Sequence, residues 1–102
     1  MALTDTQREI ARLLADAWRR AGDGARIVYQ TEWLGYLPFG QYQWTDVEHA
    51  GGKESVSRGF PDGWTLDDLL ALEQAGVLRR MGEVHDPADD MDRIVYELKE
   101  DG

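Results

Sequence analysis

The chain has 102 residues, no cysteine, and a formal net charge of −9 from 20 Asp and Glu against 11 Lys and Arg. That length suits one domain with a single modest core, and the missing thiols exclude disulfides, thiolate metal sites and cysteine catalysis, so a reducing cytoplasm is the expected home. No apolar run approaches the length of a membrane span or a signal segment, which predicts a chain with no membrane association.

The first predicted element is a helix over residues 1–22. Ile10, Leu13, Leu14, Ala17, Trp18 and Ala21 recur at the three-and-four spacing that lines one helix face. Thr6 with Glu9 fits a capping box at its start, and Gly22 supplies a left-handed stop. Arg8, Arg12 and Arg19 gather on the opposite side. They read first as a solvated face with intrahelical pairs such as Asp16 to Arg19 or Arg20, and second as a basic stripe for an acidic partner.

Asp23-Gly24 signals a turn, and residues 26–31 read as a short β-rich strand. Within the aromatic-rich segment 26–63, residues 29–44 hold Tyr29, Trp33, Tyr36, Phe39, Tyr42 and Trp44, six of the ten aromatics. Tyr29, Trp33 and Phe39 are expected to complete the core beside Trp18 and Trp64. Tyr36, Tyr42 and Trp44, with Trp33 as a further contact, are the expected binding anchors, since Trp and Tyr give large contact area at low entropic cost. Residues 41–48 and 54–59 suit a hairpin around Ala50-Gly51-Gly52-Lys53; a short helix capped by Thr45 is the alternative, and the hairpin is preferred. Phe60 to Trp64 reads as a turn whose rings pack on the next helix.

Over 65–98 the pattern is a helix followed by a hairpin. Thr65 with Asp68 forms a capping box, Leu66, Leu69, Leu70 and Leu72 give an apolar side, and Gly76 stops the helix. Ile94, Tyr96 and Leu98 alternate with Val95, Glu97 and Lys99, so 93–98 is a half-buried strand that should pair with 77–84. Residues 99–102 are expected to fray. The order of elements, and above all the passage Leu69-Leu-Ala-Leu-Glu-Gln-Ala-Gly-Val-Leu78, resembles the winged-helix superfamily over about forty C-terminal residues. The expected fold is therefore α+β: one winged-helix-like domain over 1–102, with helices packed on a small antiparallel sheet.

The charge departs from what that resemblance implies for DNA-binding members. Residues 1–26 sum to +1, 27–61 to −2 and 62–102 to −8. Asp67, Asp68 and Glu73 occupy the helix, and Asp86, Asp89, Asp90 and Asp92 the wing. Phosphates are repelled there, and a basic protein surface is attracted.

The wing acids lack the glycine and ligand spacing of a calcium loop, and His49 and His85 alone do not define a zinc site. Ser55 or Ser57 with His49 and Asp46 can be drawn as a triad, but no nucleophile elbow surrounds either serine. Gly51-Gly52-Lys53 lacks the spacer of a phosphate loop. The expectation is a non-enzymatic protein with no cofactor and no metal, binding a protein that carries a basic surface through Trp33, Tyr36, Tyr42, Trp44, Asp67, Asp68, Asp86, Asp89, Asp90 and Asp92. In size and charge it is similar to phage-encoded anti-defence proteins, including anti-CRISPR proteins, which would make it an inhibitor occupying a nucleic-acid-binding surface. The competing expectation is a winged-helix DNA-binding regulator using Arg8, Arg12 and Arg19, with a homodimer open under either.

Overall fold

A computed structural model describes residues 3–33, 41–86, 88 and 91–99, with the side chains of Trp33 and Gln41 outside that description. The first helix, α1, runs Asp5–Ala21 and is capped by Thr4 rather than Thr6. The Thr4 hydroxyl accepts from the Gln7 N–H at 3.1 Å, while the Gln7 side chain accepts from the Thr4 N–H at 3.0 Å. Two overlapping boxes compete here. The earlier one prevails by adding a half-turn of helix and placing Asp5 at the positive end of the helix dipole.

Five strands follow: β1 Arg26–Trp33, β2 Gln41–His49, β3 Gly52–Ser55, β4 Leu78–Asp86 and β5 Met91–Leu98. They form one antiparallel sheet in the order β3-β2-β1-β5-β4. A hairpin is present in the 41–59 segment, but its second arm is Gly52–Ser55 rather than 54–59: the turn is tighter than expected, and the chain leaves β3 after Ser55 into a 3₁₀ turn over Val56–Gly59. That turn drops Val56 and Phe60 into the core. The second helix, α2, spans Leu66–Gln74, with the Thr65–Asp68 capping box as expected. It closes on Gly76 at φ 81°, where the Val77 N–H returns to the Leu72 carbonyl at 2.9 Å, a Schellman-type stop.

Strand alternation sorts the sheet into two faces. Ile27, Tyr29, Thr45, Val47, Ile94, Tyr96 and Leu78 are buried, and the register carries them all to the face that receives Ile10, Leu14 and Ala17 of α1 and Leu69 and Leu72 of α2. Trp64 and Phe60 meet edge-on at 5.0 Å, and Trp64 meets Tyr29 at 6.1 Å. Gln43 locks this corner, accepting from the Tyr29 hydroxyl and donating to the Trp64 carbonyl, each at 2.9 Å. The architecture is a small α+β domain of two helices on a five-stranded antiparallel sheet, whose middle segment contributes strands to the sheet.

Candidate binding surface

Both helices lie on one face of the sheet, and among the described residues no helix covers the other. The register lays that open face out in rows. Trp44, Gln30, Arg93 and Val84 stand side by side across β2, β1, β5 and β4, and the next row is Asp46, Val28, Val95 and Gly82. Tyr42 continues the line beyond Trp44 on β2, and Met91 sits beside Gln30, whose amide nitrogen is 3.2 Å from its sulfur. Val28 is fully buried by its taller neighbours, Trp44 and Tyr42 are half-buried, and Met81 and Val84 are each 54% exposed. The result is an apolar and aromatic strip on a rigid sheet, rimmed by charges.

Those charges are nearly balanced. Arg93 reaches across β1 to Glu48 at 3.3 Å, Arg79 pairs with Glu97, and Lys53 lies 4.0 Å from Asp46. Asp46 is buried, and that burial pushes its carboxyl above the usual range, with Lys53, Ser55 and Arg58 pulling the other way. A groove of about 440 Å³ opens between Arg26 and the β4 irregularity at Arg80 and Gly82, lined also by Met81, Val95 and Glu97.

The structure divides the sequence-predicted site residues. Tyr42 and Trp44 come together on the open face; Trp33 ends β1 with its side chain outside the described residues, as is the whole of Tyr36. Asp67 is exposed at the start of α2, on the helix side. Asp68 has a structural task, accepting from the Thr65 N–H at 3.0 Å and from the Gln7 amide at 3.2 Å. Asp92 faces the helix side, bonded to His85 Nδ1 at 2.6 Å, and Asp86 accepts from the Ala88 N–H at 3.0 Å. Asp89 and Asp90 lie outside the described residues. Among the described residues, Asp67, Asp68 and Asp92 therefore lie on the helix side, away from Tyr42 and Trp44, whereas Asp86 pairs with Met91 on the open face. Met81, Val84, Met91 and Arg93 join the aromatics instead, and only the alternation of 93–98 hinted at this, by setting Val95 opposite Ile94.

The helix-one arginines are paired within their own helix. Arg8 bonds Asp5, Arg12 bonds Glu9 and lies 3.4 Å from Asp16, and Arg19 bonds Asp16. Arg20 instead crosses to Glu54 on β3, tying α1 to the sheet edge.

The hydrolytic reading finds no geometry. Ser57 Oγ accepts from the Thr45 N–H at 3.0 Å, His49 Nδ1 accepts from the Gly51 N–H at 3.1 Å, and neither Ser55 nor Ser57 bonds His49 among the described residues. His49 and His85 sit at opposite ends of strands three places apart, and the described residues contain no cluster of three potential metal ligands. No described helix is long and apolar enough to cross a membrane. Comparison with protein-family models, curated proteins and solved structures found no match to this chain.

Proposed function

We propose that this chain is a small acidic, non-enzymatic binding module that engages a protein with a basic surface. The observation that carries the reading is the uncovered sheet face, where Tyr42 and Trp44, half-buried, share a surface with Val84 and Met91 on a framework of four paired strands. Large rings on a rigid platform lose little entropy on binding and make the usual hot spots. The −9 charge acts at longer range, steering a basic partner toward the molecule and repelling nucleic acid. The concrete form of this reading is an inhibitor of the phage anti-defence kind, masking a nucleic-acid-binding surface of its target. The winged-helix-like description belongs to the same proposal, supported by the α2–β4–β5 unit and by β5 pairing with β1.

The test is a pull-down of the purified protein at low and high salt, followed by titration of the recovered partner with wild type, Tyr42→Ala and Trp44→Ala. A stoichiometric basic protein that binds more weakly in salt, and about 30-fold more weakly to Trp44→Ala, supports the proposal. Recovery of nucleic acid without such a protein would overturn it in favour of a DNA-binding regulator, which would have to free Arg8, Arg12 and Arg19 from their acidic neighbours.

A further inference from the structure

The two edges of the sheet are unequal. β3 offers four residues, carries Lys53 and turns away at Val56, a short and charged edge of the kind that resists pairing. β4 offers nine, and every residue from Met81 to His85 is exposed. The irregularity at Arg80 and Gly82 ends before this stretch, so that Gly82 to Asp86 is an unbroken strand in register with Val95 to Met91. Among the described residues, no strand pairs with the outer side of β4 over Gly82 to His85.

We propose that the Gly82–Asp86 edge is a self-association site that takes the same edge of a second copy, antiparallel, across a two-fold axis at Val84. The sequence at the axis is complementary to its own reverse. Antiparallel alignment sets Val84 against Val84 of the second copy and places Glu83 opposite His85 of the second copy twice, whereas parallel in-register alignment would set Glu83 against its own copy. His85 is already held in place, with Nδ1 at 2.6 Å from Asp92 and Nε2 at 3.4 Å from its own Glu83. Pairing would cover Val84, one of the two most exposed large apolar side chains among the described residues. It also joins the two five-stranded sheets edge to edge and turns both open faces the same way, so that a dimer presents two Tyr42 and Trp44 pairs on one face with six strands between them. An interface of five residues per copy belongs to the small, transient class and needs high protein concentration to show itself.

Sedimentation velocity of the full chain from about 10 μM to about 1 mM covers the range expected for an interface of this size. Wild type should shift from monomer to dimer, and Val84→Lys, which brings two ammonium groups together on the axis, should stay monomeric with an unchanged circular dichroism spectrum. Glu83→Arg and His85→Glu should each lose the dimer alone, while an equimolar mixture of the two regains it, because each repulsive contact becomes an attractive one. A wild type that remains monomeric throughout, a dimer that survives Val84→Lys, or a mixture that stays monomeric would overturn the assignment.

Discussion

Replacing Thr45 by Val should stabilise this protein, although it deletes a polar group from a strand with no apparent fault. Thr45 is 0% exposed, on the helix-facing side of β2 opposite Tyr29, and its hydroxyl finds no partner among the described residues. A buried hydroxyl that lost its water and gained nothing costs about 1–3 kcal/mol. Val keeps the branched shape and the strand preference, so the expected net gain is about 1 kcal/mol, which for a domain of this size is a rise of about 4–8 °C in Tm. The neighbouring Ser57 provides the opposite control. Because β3 stops at Ser55, the Thr45 N–H has no ladder partner and donates to Ser57 Oγ at 3.0 Å. Ser57→Ala leaves that donor unanswered and should cost about 1–2 kcal/mol. Thermal and urea unfolding of both variants read the two signs. A Thr45→Val protein that melts at or below the wild-type temperature would refute the reasoning, because it would mean that the hydroxyl is satisfied in the folded state.

The remaining expectations concern charge and the seam between helix and sheet. Burial raises the Asp46 carboxyl, so the folded state is penalised when that group is ionised: Asp46→Asn should be more stable than wild type at neutral pH, with the advantage disappearing as acid protonates Asp46, measured as Tm against pH. His85 is raised chiefly by its bond to Asp92, so its contribution is complete below the ordinary histidine range and is lost as pH rises through the raised value; Asp92→Asn should flatten that limb of the Tm profile. Arg80 bonds Glu73 of α2 at 2.9 Å and lies 5.8 Å over the Tyr96 ring, so Arg80→Ala should lower stability by about 1–2 kcal/mol in urea titrations, with Arg80→Lys recovering only part.

Local signals were the most legible ones. The Thr65–Asp68 box and the Gly76 stop predict α2 to within a residue, because a cap is settled by atoms three residues apart. The start of α1 is misplaced by two residues because Thr4 and Thr6 both offer a box, and nothing in the spacing ranks them. The Gly51-Gly52 turn predicts the hairpin over 41–59, but not that the chain leaves the sheet at Val56, which depends on the core having room for Val56 and Phe60. For the candidate surface, the sequence singles out Tyr42 and Trp44, which the fold leaves half-buried on the open face, and it shows the Thr65–Asp68 box, whereas the bonds of Asp68 to Gln7 and of Asp92 to His85 depend on the tertiary fold. A row of charges shows its sign but not its partners. The irregularity in β4 hides Met81 and Val84, since it breaks the period of two that would have assigned them a face.

The order β3-β2-β1-β5-β4 slots the last strand to be made between two earlier ones. On a ribosome, β1 would therefore wait with one side unpaired until some sixty residues later its second neighbour emerges, and β4 would have no place in the sheet before then. Closing so long a loop makes folding late and slow, dominated by non-local pairing. It also makes residues 91–98 a keystone: a nascent chain stalled before Met91 keeps a three-stranded remnant and a stray β4, each with an unpaired edge for chaperones or proteases to find.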